Sequence, residues 1–155
     1  MLKLDNLRHT LSHTSQWCRA NPEKFIIFAE EGGIEIRGKT LSFAYRYKAV
    51  VFVMDYTADI NRLVVPLISW LFANQPDLLL NPEKSKAFKF TTAPNDDDSV
   101  DLLFEFPLYE RVKVSLDPAG QLTTEYLPEP PFPVDDMAEH WQTLFDDVTW
   151  SAANG

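Results

Sequence analysis

The run "TLSFAYRYKAVVFVMDYT", Thr40 to Thr57, constrains the fold most. Its first half alternates, with Phe43, Tyr45 and Tyr47 set against Ala44, Arg46 and Lys48. Its second half, Ala49 to Met54, is apolar at every position. Period-two alternation marks a half-buried strand, and an unbroken apolar run marks one covered on both faces. A strand of this length belongs inside a sheet, not at its rim.

The flanking segments supply the rest of an α+β domain. In "LDNLRHTLSHTSQWCRANPEK", Leu4, Leu7, Leu11, Thr14 and Cys18 fall at three- and four-residue steps. They form one apolar stripe of a helix that Asp5 or Asn6 caps and Asn21-Pro22 ends. Phe25 to Ala29 and Ile34 to Ile36 read as two strands joined by a hairpin at Gly32-Gly33, where glycine supplies positive φ. "DINRLVVPLISWLFANQPD" is a second helix with Asp59 as its cap. Pro66 lacks a backbone donor and predicts a start near Val64 or a kink. "LLLNPEKSKA" reads as a loop, and "AFKFTT" as a strand with Phe88 and Phe90 on one face. "SVDLLFEFPLYERVKVSL" is β-rich, with Pro107 placing it at an edge or dividing it in two. "DPAGQ" is a turn and "LTTEYL" a returning strand. The sum is one domain over residues 1–127, two helices on a mainly antiparallel sheet of about five to seven strands. From Pro128 to Pro133 four prolines fall in six residues. They favour extended backbone, so residues 128–155 read as a proline-rich acidic arm.

Charge divides the chain at Asn95. Residues 1–94 hold 12 Lys/Arg and 9 Asp/Glu, whereas residues 95–155 hold 2 and 14. An acidic C-terminal part repels phosphates, which argues against nucleic acid as its partner. It suits contact between a basic patch on one subunit and an acidic patch on the next. The cations Arg46, Lys48, Lys84, Lys86 and Lys89 and the carboxylates Asp96, Asp97 and Asp98 are the candidates for such an interface. Pro130, Pro131, Phe132, Trp141 and Trp150 of the arm join them as docking anchors. Met1 to Ala20 has no apolar core of a secretory signal, and "LVVPLISWLFA" is too short to span a bilayer. The single cysteine, Cys18, excludes an intrachain disulfide and fits a reducing compartment.

No catalytic set emerges. His9 and His13 stand at the i, i+4 spacing of metal ligands, but "HTLSH" lacks the glutamate of zinc-hydrolase helices and a third ligand. His140 has no nameable partner. Cys18 lies on the apolar stripe with nothing to lower its pKa. The chain carries no GxSxG, phosphate-loop or dinucleotide-binding glycine pattern. "NDDDSVDLLFE" has the carboxylates Asp96, Asp98, Asp101 and Glu105 but no glycine for the sharp turn of a calcium loop. A metal-dependent phosphoesterase built on Asp96, Asp98, Asp101 and Asp55 is one alternative. An acidic adaptor docking through Phe132, Trp141 and Trp150 is another. A solvated turn accounts for the aspartates better, and no cofactor is expected.

The order of segments is familiar as a whole. "MLKLDNLR", "NPEKFIIFAEEGGI", "LSFAYRYKAVVFVMDYTADINRLVVPLISWLFANQPDLL" and "NDDDSVDLLFEFPLYERVKV" closing with "LPEPP" resemble the tail completion protein R family of P2-type contractile-tailed bacteriophages. The likeness runs from Met1 to about Pro131, and "DYTADINRLVVPLISWLFANQPD" is its most specific part. It implies a structural virion assembly protein, not an enzyme, with a tail-terminator-like fold. Such a protein is expected to complete the head-proximal end of the tail tube, as a ring, and to prepare it for head joining. The resemblance implies tube or sheath proteins and head–tail connector proteins as partners, and neither a membrane nor catalytic residues. It places the protein in the virion tail, assembled in the bacterial host cytoplasm.

Overall fold

β2, Phe43–Tyr56, has a strand on each side along most of its length. The computed structural model describes residues 1–36 and 38–130. The sheet has the order β1-β2-β4-β3, all antiparallel, with β5 sharing the far edge of β4 with β3. β1 is Phe25–Ile36, β3 Lys89–Pro94, β4 Val100–Leu116 and β5 Leu122–Tyr126. Tyr47, Ala49, Val51 and Val53 of β2 align with Leu108, Phe106, Phe104 and Leu102 of β4. These eight side chains floor the buried core.

The helices cover that face. α1, Leu2–Thr14, contributes Leu7 and Leu11, and α2, Gln16–Ala20, contributes Cys18. α3, Asn61–Asn74, sends Leu63, Leu67, Trp70 and Leu71 inward. Of the expected stripe, Leu7, Leu11, Thr14 and Cys18 are therefore buried and Leu4 is partly buried, although Ser15 interrupts the helix and caps α2 by accepting from Cys18 N at 3.1 Å. No helix among the described residues is long and apolar enough to cross a membrane.

Several local expectations are corrected. Gly32-Gly33 is no hairpin: β1 continues to Ile36, and a bulge between Glu30 and Gly33 absorbs the irregularity. β2 is long enough to pair both halves, and Glu31 takes the positive φ at 52°. α1 begins at Leu2, ahead of Asp5 and Asn6. Its first turn is capped from the sheet, where Glu110 of β4 accepts Lys3 N at 2.9 Å. Asn6 instead accepts from Trp70 Nε1 at 2.7 Å and ties α1 to α3. α3 starts at Asn61, not near Val64, and carries Pro66 inside it. Asp59 does serve its start, accepting Asn61 N at 2.8 Å. "LLLNPEKSKA" is not a plain loop but contains α4, Pro76–Leu80, and α5, Pro82–Ser85, each opened by a proline at its first position. Phe88 precedes β3 and packs edge-on against Phe106 at 5.3 Å. Pro107 neither breaks β4 nor puts it at an edge. It lies between the stretches that pair with β3 and β5, where a residue without an N–H is tolerated.

One buried polar joint fixes the helices on the sheet. Glu110, 3% exposed, accepts Lys3 N and the Tyr47 hydroxyl, the latter at 2.5 Å. Lys3 Nζ spends its three donors on Gln75 Oε1 at 2.8 Å, Tyr109 O at 2.7 Å and Glu129 Oε1 at 2.7 Å. Burial, and then the Glu110 hydrogen bond, hold the Tyr47 hydroxyl well above the usual phenol range. Removing Glu110 leaves two buried donors, Lys3 N and the Tyr47 hydroxyl, without an acceptor, which costs more than removing the one hydroxyl. In urea unfolding, Glu110→Ala should lose about 2–4 kcal/mol and Tyr47→Phe about 1–2 kcal/mol.

Candidate functional site

Four of the five candidate cations line one groove, where residues of β1, β2 and β4 meet α4 and α5. Arg46, Lys48, Lys84 and Lys89 line it together with Glu31, Asp77 and Glu105, around a volume of about 820 Å³. Charge there is mixed because strand alternation on β1 and β4 supplies acids beside β2. Arg46 Nε meets Glu35 Oε2 at 2.7 Å, and its guanidinium lies 4.5 Å over the Tyr109 ring. Lys48 Nζ reaches Glu30 at 3.3 Å, Glu31 at 3.4 Å and Glu105 at 3.7 Å. Lys84 pairs with Asp77 at 3.0 Å and Lys86 with Glu83 at 3.1 Å. Lys89 opens β3, whose six residues are all exposed.

The aspartates lie apart from this groove, at the turn between β3 and β4. Asn95 N donates to Ser99 O at 2.9 Å and closes the turn. Asp97 Oδ1 accepts from Ser99 N at 3.2 Å and from the Ser99 hydroxyl. Asp101 Oδ1 accepts from Asp55 N at 3.0 Å and Asn95 Nδ2 at 3.1 Å. It thereby secures Asp55, whose φ of 55° stands beside the shift in β2–β4 register between Val53 and Tyr56. The Ser99 hydroxyl and amide hold the Asp97 carboxyl below the usual range. The Asp55 amide, followed by the Asn95 side chain, does the same for Asp101. Asp96 and Asp98 are exposed. Asp97 and Asp101 thus hold the turn and its neighbour together. Among the described residues, no three His, Cys, Asp or Glu side chains gather as metal ligands.

His9 and His13 are exposed, with His13 Nδ1 at 2.9 Å from His9 O and the rings 4.1 Å apart. Cys18 is fully buried, and burial pushes its thiol up. Pro130 is exposed, whereas Pro131, Phe132, His140, Trp141 and Trp150 lie outside the described residues. The root of the expected arm is anchored. Leu127 N donates to Arg111 O at 2.9 Å, Arg111 donates to Pro128 O at 2.8 Å, and Glu129 pairs with Lys3.

Two features escaped the sequence reading. One is the joint of Lys3, Gln75, Glu110 and Glu129, whose members are scattered and announce themselves by no motif. The other is the end of the sheet beyond the helices, where Ile34, Ile36, Leu116 and Leu122 are more than 60% exposed. The alternation of Ile34 and Ile36 signalled a strand, but not that its apolar face would be left bare.

Comparison with known proteins gives two matches. Residues 1–130 match the family model described as P2 phage tail completion protein R (GpR). The chain is 38% identical over 135 residues to the tail completion protein R of Escherichia phage P2, covering 86% of each chain. No solved structure gives a significant match.

The Asp101 contacts carry a pH signature. A carboxylate with a lowered folded pKa stabilises the fold above its unfolded pKa, and that stabilisation fades as pH falls through the folded value. Asp101→Asn should therefore unfold at a lower temperature than the parent at pH 7. The gap should close below the usual carboxylate range, where the parent's Asp101 is itself protonated. A gap independent of pH would assign the loss to packing instead.

Proposed function

The chain belongs to the P2 phage tail completion protein R family, and on that footing we propose that it closes the head-proximal end of the tail as a ring. It is a structural protein of phage tail assembly and not an enzyme. It acts in the virion tail with other tail and virion proteins. The family match across residues 1–130 is the observation that carries the reading.

The ring reading draws support from the fold. The sheet ends in two unlike edges among the described residues, β1 at one and β3 with β5 at the other. Unlike surfaces favour heterologous contacts, which close into a ring when the rotation permits. Tube or sheath proteins on one side and head–tail connector proteins on the other are the proposed partners. Residues 128–155 serve as an arm, with Pro130, Pro131, Phe132, Trp141 and Trp150 as its contacts. Aromatic anchors of this kind dominate interface energy.

Electron cryo-microscopy of tails carrying the tagged chain is the direct test. Density is expected at the head-proximal end of the tube, and density elsewhere on the tail would sink the reading. A second measurement addresses the acidic turn. Asp96→Asn with Asp98→Asn leaves the Asp97–Ser99 bonds in place, and asparagine tolerates the 64° φ at position 98. Incorporation into tails should fall at low salt, and the deficit should vanish as screening grows. An unchanged yield at every salt concentration would leave the turn without a role in assembly.

A further inference from the structure

We infer that neighbouring copies in this ring join by strand pairing, with the β3 edge of one copy laid against the β1 edge of the next. The inference rests on the ring proposed above and names its contact. Among the described residues β1 pairs with β2 alone and β3 with β4 alone, so each presents a free edge. Such edges template pairing with another chain unless something blunts them.

Direction, length and face all agree. Along the order β1-β2-β4-β3 every pair is antiparallel, so β1 and β3 run oppositely. A second copy's β1 beside β3 continues the alternation without a break. The stretch of β1 before its bulge, Phe25 to Glu30, has the same six-residue length as β3. Phe25, Ile27 and Ala29 share the helix-covered face, and so do Phe90, Thr92 and Pro94. Setting Phe25 opposite Pro94 and Glu30 opposite Lys89 keeps these faces together. In that register Phe90, 64% exposed, meets Ala29, and Ile26, 43% exposed, meets Ala93.

Charge fits at both ends. Lys89, with Lys86 and Lys84 before it in the chain, faces Glu30 and Glu31, which are exposed beside Lys48. At the other end Asp96 to Asp98 face Lys24, whose side chain lies 3.9 Å from Asp55 in its own copy. Pairing β1 with a second β1 would satisfy one edge and leave β3 bare. The β3-to-β1 contact consumes both, and repetition around a closed ring leaves only β5 and residues 33–36 of β1 at the margin.

Disulfide trapping tests this in assembled tails. Ile26→Cys and Ala93→Cys stand opposite each other across the contact, and fully buried Cys18 takes no part. Oxidised tails carrying both substitutions should give a ladder of linked multimers on a non-reducing gel, and tails carrying either one alone should give none. Dimers from Ile26→Cys alone would establish β1-to-β1 pairing and overturn the inference. So would double-variant protein that is present on tails yet unlinked, a result that leaves the tail assignment standing. Should the cysteine variants fail to reach the tail, a charge swap decides. Lys89→Glu alone should cut incorporation about tenfold or more, and adding Glu30→Lys in the same chain should restore it. Failure of that rescue equally overturns the contact.

Discussion

The salt-bridged joint at Lys3 is the interaction on which the arrangement of layers depends. A helix start leaves backbone N–H groups without partners, and a buried carboxylate needs donors. Glu110 and α1 satisfy both needs at once. Because Glu110 is on β4, the cap is also the bolt that sets α1 on the sheet. Tyr47 fixes the carboxylate from β2, and Gln75 lends its amide where β4 has no strand beside it, accepting Tyr109 N at 3.0 Å. Glu129 then brings the end of the described chain back to the first helix. One ion pair and its neighbours thus hold α1, the α3–α4 junction, two strands and the segment at Glu129.

That joint also marks where helical cover ends. On the core side of it Phe104, Phe106, Trp70 and Leu7 are at most 1% exposed. Beyond it, the same face of the sheet carries Ile34 and Ile36 of β1 in the open, at 66% and 77%. A chain folded only for itself would place polar residues there, as the alternation rule demands. Exposed apolar side chains at one end and two free strand edges are features of a protein whose folding unit is smaller than its working unit. A tail assembly protein, acting with other virion proteins, is of that kind.

Much of this was legible in the sequence. Continuous periodicity over β2, β4, α1 and α3 gave the class of the fold, because burial of a strand or helix face is a local pattern. What the sequence hid was nonlocal. Gly32-Gly33 reads as a turn on local chemistry, yet β2 is long enough to keep β1 straight past it, so the turn became a bulge. Asp5 and Asn6 are good caps by type, yet a carboxylate on β4 displaced them by completing a buried site. Pro107 looks like a strand breaker until the two strands flanking it along β4 show where the gap falls. In each case tertiary pairing overrode a correct local rule. The candidate cations were legible as a group, because four of them do reach one groove. Their neutralisation by Glu30, Glu31, Glu35 and Glu105 was not, since cross-strand neighbours follow only from register.

The charge split at Asn95 takes a different meaning once the partners of each acid are known. Asp97 and Asp101 hold the turn, and Asp117 accepts Ala119 N and Gln121 N at 2.9 Å to shape the next one. Glu105 answers Lys48, while Glu110 and Glu129 are spent in the joint. Most acids of β4 and its flanks therefore hold local bonds within the fold, although only Glu110 among them is buried. Asp96 and Asp98 are exposed, and residues 131–155 hold five acids and no lysine or arginine. A linear excess of carboxylates is thus not one acidic face. It divides between a small acidic turn at the end of β3 and the acids of residues 131–155, which follow the Lys3-bound Glu129 in the chain. The turn stands at the end of β3, an edge strand among the described residues, where its charge falls beside any chain that pairs there.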